Sequence, residues 1–277
     1  MSQDAPASTP LAQLLAHRVR NGQRITFHLT EDWQQGRTTF GGLLSALVVQ
    51  AMRDVCGADW PLRALQTNFV GPVAPGLAHV DVTLLRQGKN IRQVKAQVMQ
   101  ADAQGVEQVG GVLLGVFGTN RESALPELRP EKVAVSKTPE TAFKWPYVPG
   151  MTPAFTQHLD FRQASGGVPF MGTNDWHNHT FVRLNESAGV DAELQAVLLA
   201  DSGPTPALAQ LKGFAPASSV SWALELRPVT IGQTDGFWLM DKQALATGEG
   251  YVNEKTTLWT PCGQLAALGY QVVAVYA

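Results

Sequence analysis

Residues 191–229 read DAELQAVLLADSGPTPALAQLKGFAPASSVSWALELRPV, and their reading decides the fold. Asp191 stands as an N-cap, with Glu193 and Leu194 close behind, so a helix is expected over 191–201. Val197, Leu198 and Leu199 are core material, yet Asp201 places a carboxylate at the end of their run. Pro204 and Pro206 end or re-form the helix, and ASSVSWALELRPV (217–229) follows as a strand. The helix is read as the central helix of the second of two similar folding units. Asp201 is then the first candidate for a catalytic group.

The remaining chain is consistent with two units. Its 277 residues suit two domains of about 100–150 residues each. A core of that size needs no metal or disulfide. Residues are 44% hydrophobic and 16% charged, and the net charge is −2 with both signs interspersed, which gives no nucleic-acid footprint. Cys56 and Cys262 have no ligand-like spacing and fit a reducing compartment. No apolar run approaches about 18 residues, so no membrane span is expected. Residues 1–9 have no secretory pattern and are read as a loose leader, which points to a cytoplasmic protein.

In the first half, LAQLLAHRV (11–19) suggests a short opening helix, and Ile25, Phe27 and Leu29 alternate as in a strand over 24–33. After Gly41 and Gly42, LLSALVVQAMRDVCG is apolar on nearly all faces, as in a buried helix that stops at Gly57. Strands are expected at 62–73, 79–90, 91–105 and 106–118. One buried helix wrapped by an antiparallel sheet is the hot-dog arrangement, although a generic α+β domain would give a similar string. Residues 119–150 hold five prolines and many charges, and read as a surface linker anchored by Phe143, Trp145 and Tyr147. Strands at 155–164 and 177–186 then precede the helix of 191–201, and more follow at 237–248, 250–263 and 264–277.

The halves align in hydrophobic pattern. LQTNFVGPV (65–73) lies over SWALELRPV (221–229), and QADAQGVEQVGGVLLGVF over WTPCGQLAALGYQVVAVY, with Gly105 over Gly263. The offset of Pro72 from Pro228 is 156 residues, too long for a solenoid repeat. The expected organisation is an N-terminal unit at 10–120, a linker at 121–150 and a C-terminal unit at 151–277. Two half-open sheets of this kind can pair edge to edge and bury both helices, which protects their edge strands.

Phe40-Gly41-Gly42-Leu43, the strand of 65–75, LLRQGKNIRQVKAQVMQ (84–100), TFVRLNESAGVDAELQAVLLADS, Arg227-Pro228 and the run from Gly263 to Gln271 together resemble the acyl-CoA thioesterase II family. The resemblance covers nearly the whole chain. It implies an α+β double hot-dog protein with two antiparallel sheets, each wrapping a central helix. It implies hydrolysis of a fatty acyl-CoA to free acid and CoA. Members hold a water with an aspartate, a threonine or serine, and a glutamine. The aspartate falls on Asp201. Counting ten residues back from Pro228 gives Ser218, and eight forward from Gly263 gives Gln271. Serine stands where threonine is common, and the SWAL segment lacks the aspartate–histidine pair often found there.

The chemistry can be read from the residues beside this. Burial would raise the Asp201 pKa and make it a better base near neutral pH. A hydroxyl and an amide can both hold the same water. Gly41 and Gly42 open a helix whose N–H groups could face a developing oxyanion. Opposite Gln271 and Ser218 the first half has Leu113 and Leu62, and the counterpart of Asp201 falls near Ser45, so one active site per chain is expected.

Blander readings stand beside these. Asp201 could cap a second helix over Pro204–Leu211. His177 and His179 share a strand face, but no third ligand is evident, and they are read as a solvent-facing pair; no metal or cofactor is expected. Trp33, Trp176 and Trp222 are read as core, and the Gly-Gly pairs at 110–111 and 166–167 lack a phosphate-loop pattern. A hot-dog hydratase is disfavoured, because neither helix opens with an Asp/His dyad. A catalytically silent acyl-CoA or acyl-chain binding protein is the alternative from another class. Expected partners are the small-molecule acyl-CoA and neither nucleic acid nor membrane. Oligomeric state stays open, although double hot-dog chains often associate further into homo-oligomers.

Overall fold

The computed structural model describes residues 8–57, 59–228 and 236–277. Most of the leader and Val229 lie outside them. The first half contains α1 (Leu11–Ala16), β1 (Val19–Asn21), β2 (Arg24–Leu29), a small β3 (Gln34–Gln35) and β4 (Thr38–Thr39) pair, and α2 (Gly41–Cys56). It continues with β5 (Leu62–Phe69), β6 (Gly76–Gln87), β7 (Ile91–Ala101) and β8 (Glu107–Gly118). Then come β9 (Phe143–Lys144), β10 (Leu159–Ser165), β11 (His177–Leu184), α3 (Ala192–Ala200), β12 (Ala217–Leu226), β13 (Trp238–Gly248), β14 (Tyr251–Trp259) and β15 (Leu265–Val275).

The two expected antiparallel sheets pair edge to edge into a single sheet. Thirteen strands run in the order β1-β2-β6-β7-β8-β5-β12-β15-β14-β13-β11-β10-β9. The two halves join at β5 and β12, antiparallel from Ser221 opposite Asn68 to Glu225 opposite Ala64. Each half would otherwise leave unpaired N–H and C=O groups along that edge, and the pairing satisfies both rows at once.

Both helices pack on this sheet within one continuous core. In α2, residues 42–49, 51 and 52 are all buried, as its all-round apolar pattern requires. Gly57, at φ 94°, ends it in a backbone conformation that favours glycine. The Asp191 side chain accepts from the Leu194 N–H as the N-cap of α3, and Leu194 to Ala200 are buried. The helices lie antiparallel, since Gly42 abuts Leu198 while Arg53 pairs with Glu193. A Cβ on Gly42 would sit 2.6 Å from the Leu198 carbonyl oxygen, so only glycine lets the backbones approach this closely.

Several sequence expectations shift. The strands at 24–33 and 155–164 are partly 3-10 turns, at Glu31–Trp33 and Ala154–His158. Those turns join the halves: Trp33 stacks on His158 with centroids 3.8 Å apart, and Phe40 stacks on Phe155. Trp33 and Trp222 are buried, but Trp176 is exposed. Of the three linker aromatics only Trp145 is anchored, against the core and through its Nε1–H to Gln163 Oε1; Phe143 and Tyr147 are exposed. The linker's apolar contact comes instead from Val133, Val135 and Ala142, which cover Phe181, Leu239 and Trp259.

Candidate active site

Asp201 is the C-cap of α3, partly buried where the helix end meets the N-terminus of α2. It caps no second helix. Residues Pro206–Gln210 form a 3-10 turn whose own cap is Thr205, accepting from the Ala207 N–H. The Asp201 carboxylate is instead held from two sides. Gln271 Nε2 donates to its Oδ1 at 2.9 Å, and the Gly42 N–H donates to it from the first turn of α2. A Cβ on Gly41 would lie 2.8 Å from Asp201 Oδ2 and equally close to the Phe69 ring. The glycine pair therefore seats the α2 terminus against the carboxylate.

Gln271 lies on β15, buried, and its amide bridges to β12. Its Nε2 also donates to Ser219 Oγ at 2.5 Å. The expected hydroxyl, Ser218, is exposed, and among the described residues its Oγ reaches the neighbouring Ser219 carbonyl, at 3.4 Å, rather than Gln271. Strict alternation back from Leu226 through Leu224 and Trp222 would point Ser218 inward. The β12–β15 register, however, shifts between Ser219 and Ser221. One extra residue in a strand reverses which side chains face in, so Ser219 takes the inward place.

Behind Asp201 stands a charged pair that the sequence reading missed. Lys242 on β13 and Glu254 on β14 are almost wholly buried and paired, with Nζ 2.9 Å from Oε1. Lys242 Nζ also donates to the Gly203 carbonyl at 2.8 Å, two residues past Asp201. Glu254 sits opposite Gln271 across the β14–β15 ladder. The signal was present in the alternation. Lys242 follows Trp238 and Met240 at inward positions, and Glu254 lies between Val252 and Thr256.

Burial pushes the Asp201 pKa up to about 6. Nearby Lys242, the Gln271 hydrogen bond and the Gly42 N–H pull it down, and Glu254 pushes it up. Desolvation outweighs these, so the group changes charge near neutral pH, where a general base works best.

The opposite end of the helix pair is built differently. Arg53 of α2 pairs with Asp191 and Glu193 of α3, and Glu193 Oε2 accepts from the Leu62 N–H. Ion pairing occupies the groups there, and Leu62 and Leu113 are buried apolar residues.

Residues 29–118 match the acyl-CoA thioesterase N-terminal domain, and residues 130–275 match the acyl-CoA thioesterase C-terminal domain. The chain belongs to the acyl-CoA thioesterase family. It is accordingly a thioester hydrolase, and the family implies an acyl-CoA substrate. The thioesterase is similar to a protein of unknown function with a hot-dog fold from Alicyclobacillus acidocaldarius. That pair is 18% identical at a TM-score of 0.81, over 98% of this chain and 99% of the other. The tesB protein of Mycobacterium avium subs paratuberculosis is similar at 15% identity and a TM-score of 0.77, over 98% and 100% of the two chains. Acyl-CoA thioesterase II TesB2 of Mycobacterium marinum is similar at 14% identity and 0.71, over 96% and 98%. No curated protein sequence matches the chain. The thioesterase thus has the hot-dog fold, and among its described residues no helix is long and apolar enough to cross a membrane.

Proposed function

We propose that this thioesterase hydrolyses fatty acyl-CoA by direct attack of a water held by Asp201, Ser219 and Gln271. The observation that carries the reading is the Gln271 amide, which reaches both Asp201 and Ser219 across two strands and the end of α3. The water's oxygen bonds to the thioester carbonyl carbon while Asp201 takes its proton. The carbonyl becomes an oxyanion, facing the first turn of α2 beside Gly41, where helix N–H groups lack helical partners, while the Gly42 N–H stays on Asp201. As the carbonyl re-forms, the C–S bond breaks, and the CoA thiolate leaves and regains a proton. No covalent intermediate on the protein is needed. The C-terminal unit at 151–277 carries Asp201, Ser219 and Gln271, and the N-terminal unit at 10–120 lends the glycine pair. The Arg53 ion pairs at the far end of the helices support one site per chain.

Two outcomes follow in solution. Release of free thiol from a panel of acyl-CoAs should rise with pH through about 6 and then level off, because Asp201 acts only after losing its proton. A profile flat from pH 5 to 8 would remove Asp201 as the base. In the second, Ser219→Ala should slow turnover about 3–10-fold, the worth of one hydrogen bond, while Ser218→Ala leaves it unchanged. The reverse ranking would restore Ser218 to the site.

A further inference from the structure

The outer face of the sheet carries a second cluster of chemically capable side chains. His177 and His179 alternate along β11, so both project from the same face. Asp241 of β13 stands directly opposite His179 in the antiparallel register. It points away from its neighbour Lys242, which turns inward to the Asp201 cluster. One ligand atom from each of His177, His179 and Asp241 lies within 4.8 Å of the others. The His179 ring is oriented from behind: its Nδ1 is 2.7 Å from Ser165 Oγ on β10. Its Nε2 is shielded from solvent, has no hydrogen-bond partner among the described residues, and lies 3.7 Å from Asp241 Oδ1. A buried polar atom without a partner calls for an explanation.

We propose that His177, His179 and Asp241 form a binding site for one zinc-like divalent transition metal, with water completing the coordination. Two imidazoles and a carboxylate are a donor set suited to zinc, and three protein ligands plus water is an open tetrahedral arrangement. With metal–ligand bonds of about 2.0–2.1 Å, donor atoms in a tetrahedron lie about 3.3 Å apart. The His179–Asp241 separation is close to that. His177 Nε2, hydrogen-bonded to Asp241 Oδ1 at 2.5 Å, would open outward to make room for the metal, and the ring is half-exposed. Ser165 supplies the contact to the non-ligating nitrogen that metal-bound histidines usually have. The histidine pair was legible in the sequence without a third ligand. Pairing of β11 with β13 supplies it from more than sixty residues away.

The test uses the purified full chain, stripped with a chelator and titrated with Zn2+ against a chromophoric competitor. One Zn2+ per chain should bind, and its addition should raise Tm. Co2+ in its place should give the visible absorption of a tetrahedral site. His179→Ala and Asp241→Asn should each abolish the stoichiometric binding, and Ser165→Ala should weaken it about 10–100-fold. His177→Ala, at the most exposed ligand, is the variant least able to disturb folding and should also lose the site. No stoichiometric binding to the wild type, or equal binding by the His177, His179 and Asp241 variants, would overturn the proposal. The readout is metal binding rather than hydrolysis, so its outcome is independent of the active-site assignment.

Discussion

Asp201→Asn is expected to lower kcat/KM for acyl-CoA about 10²–10⁴-fold, the usual contribution of a positioned general base, and at the same time to stabilise the fold near neutral pH. The first effect follows from the geometry. Asparagine keeps the shape that Gln271 and Gly42 grip but accepts no proton from water. The second follows from the sign of the pKa shift. The folded-state pKa, pushed up to about 6, lies above the usual value of 3.8, so the native protein binds this proton more tightly than the unfolded chain does. Ionised Asp201 therefore destabilises the native state. The penalty is absent below about 3.8, grows between 3.8 and 6, and is complete above 6. At about 1.4 kcal/mol per unit it amounts to at most about 3 kcal/mol. Asparagine also turns an N–H pair toward one of the two donors, so the gain will be smaller. Thermal melts at about pH 7.5 should show a higher Tm for Asp201→Asn than for wild type, with the difference vanishing at about pH 4. Wild-type turnover in the variant would remove Asp201 from the mechanism. An inactive variant with lowered Tm at both pH values would instead assign it a structural role.

Lys242→Met is expected to destabilise the protein by about 3–5 kcal/mol, because it leaves the Glu254 carboxylate buried without its counter-ion. Glu254 Oε2 already has no hydrogen-bond partner among the described residues, so the loss of Nζ cannot be made good locally. The Gly203 carbonyl would also lose its donor, loosening the segment that follows Asp201. Lys242→Met combined with Glu254→Leu should recover most of that stability, since well-packed apolar residues often replace a buried ion pair at little cost. Chemical denaturation of the single and double variants measures this directly. The double variant also separates stability from catalysis. It removes one charge that lowers the Asp201 pKa and one that raises it. Because Lys242 is the larger of the two influences, the pH at which turnover rises should move upward. A single variant as stable as wild type would mean that the pair contributes nothing to the fold.

The residues that could be found in advance share a physical cause. A helix apolar on all faces can only be buried, so α2 and α3 were legible from composition alone. A carboxylate at the end of such a run marked Asp201, and Gln271 followed from the family pattern. Counting along the strand pointed to Ser218 rather than Ser219, the hydroxyl that meets Gln271, because the register shift in β12 leaves no trace in local alternation. Trp176, Phe143 and Tyr147 were assigned to packing because large aromatics usually are buried, and each is exposed here.

Local sequence determined which segments are helices and strands, where α2 stops at Gly57 and α3 begins at Asp191, and which residues could do chemistry. Those properties depend on neighbours a few residues apart. Only tertiary structure decided that β5 and β12 are the edges through which the two halves join into one thirteen-stranded sheet, since strand pairing depends on edges far apart in the chain. It likewise brought Lys242 and Glu254 behind Asp201 and set Ser219 rather than Ser218 beside Gln271. The Asp201 pKa belongs to the same class. It is raised by water excluded where the end of one helix meets the start of another, and no stretch of sequence contains that meeting.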